Sequence, residues 1–150
     1  YEVSAYAQPG SQCRHNLNYW HFGDYLGIGA GAHSKLTLHD RVLRQMRWKQ
    51  PAAYLGHTRA GNPIQTANEV VASQLPFEFL MNALRLHEGF PPALFESRTA
   101  QPLTAILPQL KAAEADGLLT IGPERIAPTL RGRRFLNVLL ERFLDDGDTA

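Results

Sequence analysis

A single cysteine, Cys13, is the only thiol in these 150 residues. One thiol makes no internal disulfide, so a reducing cytoplasm is the expected compartment. Long apolar runs are missing as well. None approaches the roughly 18 residues a membrane helix needs, so no membrane span is expected. Excess charge of one sign is also lacking. Fifteen Lys and Arg stand against 14 Asp and Glu, a net charge of +1, which gives no electrostatic drive toward nucleic acid. There is no internal repeat and no low-complexity tract. His21, His39, His57 and His87 show no metal-ligand spacing. Glu114, Asp116 and Glu124 make no paired-carboxylate site, and no Ser-His-Asp order stands out. What remains is ordinary: a 44% hydrophobic composition and enough length to bury a core without disulfide or metal.

The chain opens at Tyr1 rather than Met, inside an alternating apolar and polar stretch, Tyr1 to Ala7. Alternation predicts a strand, and Pro9-Gly10-Ser11 predicts its closing turn. A strand beginning at the first residue leads us to expect a piece of a longer protein. Leu17 to Phe22 reads as a short helical turn or loop, and Asp24 to Ala32 as an apolar strand running into small residues. Asp40 to Trp48 interleaves apolar residues with Arg41, Arg44 and Arg47, a half-exposed strand or connector. Pro51 to Gly56 is a turn or short helix. Arg59 to Pro63 is a break and the expected domain boundary, dividing residues 1–60 from 61–150.

The second half has clearer periodicity. Glu69 to Arg85 has near-helical apolar spacing, with Pro76 as a kink or restart. Pro91 to Phe95 looks like a helix start. Thr104 to Ala115 is amphipathic, with Gly117 just past its end. Leu118 to Ile121 and Ile126 to Pro128 read as a hairpin. Thr129 can cap a last helix from Leu130 through Leu144, burying Phe135, Val138, Leu139 and Phe143. Helix, short helix, helix, hairpin, helix is the order of a winged-helix-like module.

The densest chemistry lies near the front. Cys13 to Trp20 reads CRHNLNYW, packing a thiol, an imidazole, amides, a phenol and an indole into eight residues. Gly27 to Ser34 follows as GIGAGAHS. That run formally fits a dinucleotide fingerprint, GxGxxA. The fingerprint needs a helix starting inside it and an acidic residue about 20 positions on. Ser34 to Leu38 is no convincing helix, and Lys49 and Gln50 occupy the acidic neighbourhood. The glycines instead suit a strand that a ligand or another backbone approaches closely. Taken alone, Cys13 reads as a small buried residue, and His15 as a loop histidine bonded to backbone.

Three stretches in order, YEVSAYA at Tyr1–Ala7, CRHNLNYW at Cys13–Trp20 and GDYLGIGAGAHS at Gly23–Ser34, together resemble one family. It is the radical-SAM family of oxygen-independent coproporphyrinogen III oxidases. The HNxxYW pattern at His15, Asn16, Tyr19 and Trp20 is similar to its heme-chaperone branch, called HemW. The later half resembles the family's C-terminal helical domain more generically.

The resemblance implies the last strands of a partial α/β barrel over residues 1–60. A mainly helical, winged-helix-like domain would follow over 61–150, the whole being of α+β class. It implies that His15 ligates or orients heme iron, oriented in turn by Asn16 or Asn18, with Tyr19 and Trp20 flanking the macrocycle. It places Gly29, Gly31, Ala32 and His33 on the S-adenosylmethionine side, Ala32 and His33 nearest. Relatives hold a [4Fe-4S] cluster through a CxxxCxxC motif. This sequence has no such motif, and thiolates are the usual cluster ligands, so the piece by itself is expected to be inactive. The implied partners are heme or porphyrinogen, a heme-acceptor protein, the missing N-terminal barrel, and a second copy recruited through an open strand at Tyr1–Ala7.

Two other functions stay open at this stage. One is the oxidase itself, oxidatively decarboxylating coproporphyrinogen III to protoporphyrinogen IX. The other is a winged-helix interaction or DNA-binding module using Arg131, Arg133 and Arg134. The nearby Asp145, Asp146 and Asp148 and the absence of a strong basic excess speak against DNA.

Overall fold

The computed structural model describes residues 1–144; Asp145, Asp146 and Asp148 lie outside the described residues. The chain divides into two compact units. The first joins Tyr1–Phe22 to Ala72 onward, and the second is Gly23–Val71. Residues 61–62 fall in a loop within the second unit.

In the first unit, α1 spans Arg14–Trp20. A 3-10 turn at Ala72–Gln74 leads into α3, Leu75–Ala83. Pro76 sits in the first turn of α3, where a missing N–H costs nothing. This corrects the helix expected from Glu69: it starts six residues later, and Glu69 ends a strand instead. Next come α4 (Pro92–Thr99), a 3-10 turn at Leu103–Ala105 and α5 (Leu107–Ala115). The hairpin is β4 (Leu119–Ile121) with β5 (Ile126–Pro128), antiparallel, Leu119 opposite Pro128 and Ile121 opposite Ile126. Thr129 caps α6, Leu130–Arg134, its Oγ1 accepting from Gly132 N–H at 3.0 Å. A Cβ on Gly132 would run into the Leu118 carbonyl, so glycine lets this helix lie against the hairpin.

The last helix is not continuous. Phe135 has φ −117° and ψ 42°, and α7 begins anew at Leu136–Glu141. The expected seam of Phe135 and Val138 is corrected: both are exposed, while Leu139, Leu140 and Phe143 are buried. Leu136, Leu139, Leu140 and Phe143 follow i, i+3, i+4, i+7, a cleaner stripe than the one first read.

Phe79 is the hub of this unit's core. Phe22, Phe90 and Phe95 all meet it edge-on, with ring centroids 5.9, 4.9 and 5.3 Å away. Edge-to-face contacts add to area burial because the ring edge is positive and its face negative. Leu80, Leu84, Leu110, Leu119, Ile126 and Leu139 of the same unit are fully buried.

The opening segment corrects another expectation. Tyr1–Ala7 is not a strand: only Glu2 forms a bridge, antiparallel to Leu86. The alternation misled because the polar Glu2 is buried at 1% exposure while Tyr6 is 88% exposed. Ser4 donates its N–H and its hydroxyl to the Glu2 carboxylate at 2.8 and 2.6 Å. That local ring of hydrogen bonds competes with extended pairing.

The second unit is a three-stranded antiparallel sheet in meander order: β1 (His33–Thr37), β2 (Val42–Arg47), β3 (Ile64–Glu69). His33 faces Met46 across β1 and β2, and Leu43 faces Glu69 across β2 and β3. Between β2 and β3 runs α2, Pro51–Arg59, which buries no residue. The expected strand at Asp24–Ala32 is corrected. There Tyr25 makes one bridge, to Lys35, and the glycine run is a loop leading into β1.

Candidate functional site

The helix α1 carries four of the residues singled out by the sequence. Cys13 precedes it in extended conformation and its carbonyl accepts from Leu17 N–H at 3.0 Å. The Cys13 thiol is free and exposed, which corrects the buried reading. His15 is exposed, and Tyr19, four residues on, meets its ring edge-to-face at 4.8 Å and 86°. This is the i, i+4 contact a helix provides. Asn16 is half-buried.

Trp20 turns to a different face. The Arg85 guanidinium lies 4.6 Å from its ring centroid, and its Nε1 is buried without a hydrogen-bond partner. Arg85 also donates through Nε to Glu2 Oε2 at 3.0 Å and through an Nη to Ser4 Oγ at 2.9 Å. Burial alone would raise the Glu2 carboxyl pKa. The Ser4 hydrogen bonds and the Arg85 charge outweigh burial and hold it below its ordinary value.

On another side of α1, Leu17 and His21 border a cleft of about 440 Å³ with Leu86, His87, Gly89 and Arg125. Burial lowers the pKa of His21, helped by the Arg125 and Arg98 charges. Burial likewise lowers that of His87, with Arg133 contributing. Both imidazoles are thereby favoured in the neutral form at neutral pH. They are 66 positions apart, 87 − 21, and nothing in spacing links them.

The second unit holds the glycine loop. A Cβ on Gly27 would collide with the His33 backbone. Gly29 and Gly31 have φ of +112° and +71°, conformations that L side chains rarely adopt. The loop's donors are used internally. Gly29 N–H donates to the Tyr54 hydroxyl at 3.2 Å, Gly31 N–H to Trp48 O at 2.8 Å, and Ala32 N–H to Gly29 O at 3.2 Å. Arg47 Nε donates to Gly27 O at 3.2 Å. These N–H groups are therefore not available to a phosphate. It offers Leu26 and Ile28, 69% and 88% exposed. His33 opens β1 and is exposed.

The structure thus brings His15 and Tyr19 together and sets Trp20 on Arg85. Gly29, Gly31, Ala32 and His33 come together in the other unit. Among the described residues no three His, Cys, Asp or Glu side chains are grouped to hold a metal ion, and no helix is long and apolar enough to cross a membrane. A [4Fe-4S] cluster does not fit this donor set, because Cys13 is the chain's one thiol. His15 is an exposed imidazole with the Tyr19 ring against its edge, a side-chain type able to ligate iron.

The "HemN C-terminal domain" family model matches residues 72–135. The chain is 46% identical over 145 residues to the heme chaperone HemW of Escherichia coli, covering 96% of this chain and 37% of that protein. It is 42% identical over 147 residues to the heme chaperone HemW of Haemophilus influenzae, covering 97% and 37%. Against that of Mycobacterium tuberculosis the identity is 32% over 145 residues, covering 96% and 34%. The chain therefore spans a little over a third of the length of these relatives. The solved structure titled coproporphyrinogen III oxidase (HemN) from Escherichia coli, a radical SAM enzyme, matches with a TM-score of 0.52 at 18% identity. That match covers 81% of this chain and 28% of the other and establishes the shared fold. On these matches residues 72–135 carry a HemN C-terminal domain, and nearly the whole chain is similar to about a third of the proteins named heme chaperone HemW.

Proposed function

We propose that this chain is the heme-handling part of a radical-SAM protein that binds heme in the cytoplasm and delivers it to acceptor proteins. The observation that carries this reading is α1: its HNxxYW residues leave His15 exposed, with Tyr19 against its ring edge. Heme would supply an iron centre able to take an axial imidazole. His15 offers that imidazole, Tyr19 limits the ring's rotation, and Trp20 backs the helix. Asn16, next along the helix, is a polar neighbour for the bound group. The names of the relatives support the cargo.

In the same proposal Gly29, Gly31, Ala32 and His33 line the S-adenosylmethionine side of the whole protein. The side-chain-free loop lets a flat ligand come close to backbone, and Leu26 and Ile28 give it an apolar surface. The cluster itself would be held by thiolates outside this sequence. Gly23–Val71 would then adjoin the barrel, and Tyr1–Phe22 with Ala72 onward would form the helical domain.

Hemin titration followed in the Soret region tests the assignment of His15. His15→Ala is expected to weaken uptake about tenfold or more and to change the spectrum of what still binds. An unchanged titration curve and spectrum would remove His15 from the role.

A further inference from the structure

The helix that carries His15 has little of its own to hold it. It is seven residues long, buries none of them, and has no side-chain N-cap. Helices this short are unstable alone, because nucleation costs more than two turns of hydrogen bonds return. Its direction must come from contacts made elsewhere. The described contacts supply two.

The first is Phe22, just past its end. Phe22 is buried, has φ +52°, and packs edge-on against Phe79. That pins where α1 ends. The second contact is Trp20 on Arg85. Residues advance about 100° each around a helix, so Trp20 and His15 point about 140° apart. Holding Trp20 against Arg85 therefore turns His15 toward solvent.

Arg85 suits this task. Its guanidinium is planar and fixed on its far side by Glu2, whose side chain has 0% exposure, and by Ser4. Its own carbonyl accepts from Val3 N–H at 3.2 Å, and it directly follows α3, whose C-cap is Leu84. The plate on which Trp20 rests is thus tied to both the opening segment and the α3 end. A lysine would keep the charge opposite Glu2 but would lose the fork and the flat stacking face.

We propose that Arg85 is a positioning residue: locked by Glu2 and Ser4 and stacked on Trp20, it sets the rotation of α1 and so the presentation of His15 and Tyr19. The role of the ligand in this proposal rests on the heme reading above; the anchoring does not.

The test uses the full 150-residue chain carrying Trp48→Phe, which leaves Trp20 as the one tryptophan. Arg85→Lys in this background is compared with the background chain itself. Arg85→Lys is expected to shift Trp20 emission to the red. It should weaken the His15-dependent part of hemin binding about fivefold, with an altered Soret spectrum and little change in melting temperature. Unshifted emission in Arg85→Lys overturns the anchor. Shifted emission with unchanged hemin affinity and spectrum overturns the link to His15. If the parent takes up no His15-dependent hemin, the heme reading fails, and the Trp20 emission still decides the anchor.

Discussion

The two units hold themselves together by different means. In the first, four phenylalanines converge and aliphatic residues from α3, α5, α7 and the hairpin are buried as well. In the second, α2 buries nothing and β3 is exposed along most of its length. Its buried side chains include Ser34 and Lys35. Lys35 Nζ lies 3.1 Å from Asp24 Oδ1, which also accepts from Thr37 N–H and hydroxyl at 2.9 and 2.7 Å. Thus one unit relies on apolar packing, and the other on a ladder of hydrogen bonds and one partly buried ion pair. The lesson concerns the candidate residues. Those on α1 depend on Phe22, which ties the helix end to the core, and on the Trp20–Arg85 contact, whereas those of the glycine loop are fixed by backbone and hydroxyl hydrogen bonds.

The sharpest way to break this contrast is to remove its hub. Phe79→Ala should destabilise the first unit by about 3–5 kcal/mol, the usual cost of a large core cavity. Residue-resolved hydrogen exchange should show the loss there and leave the β1–β2 ladder little changed. Equal loss in both would mean that the contrast is false.

Acid should divide them in another way. In the first unit the folded-state pKa values of His21 and His87 are lowered from an ordinary 6.5, and that of Glu2 from 4.5. In the second, Asp24 is lowered from 3.8, because hydrogen bonds from Thr37 and the Lys35 charge outweigh the effect of burial. A lowered folded pKa means that the unfolded chain binds more protons, so stability falls as pH falls. The first unit should begin to lose protection as pH drops below 6.5 and lose more below 4.5. The second should hold until the lower carboxylate range. Asp24→Asn should flatten the acid response of the second unit alone. An unaltered response would remove this ion pair from the account.

The smallest effect is a cap. Thr129→Ala should cost about 1 kcal/mol and fray α6, read as faster exchange at the Gly132 amide. No change there would mean the Thr129 hydroxyl contributes nothing.

Elements fixed by local chemistry were legible in the sequence. The β4–β5 hairpin, the Thr129 cap and the β2 strand all follow from nearby residues. What escaped depends on distant partners. Glu2 looks like a solvent-facing strand residue until Arg85, 83 positions on, makes its burial tolerable. Strand β3, with almost no buried residue, carries no alternation to detect. The restart at Phe135 follows from which leucines find room inside. At the candidate site the motif on α1 was readable, because its residues lie side by side in the chain. Its support by Arg85, the His21–His87 cleft and the Tyr54 hydroxyl at Gly29 were not, because each pairing is made only by folding.

The most direct measurement sets one unit against the other with the same ligand. Hemin is titrated into the parent chain, His15→Ala and His33→Ala, and the Soret spectrum is followed. The account predicts that uptake and the imidazole-ligated spectrum are lost only when the α1 histidine goes. Loss in His33→Ala with His15→Ala intact would contradict it.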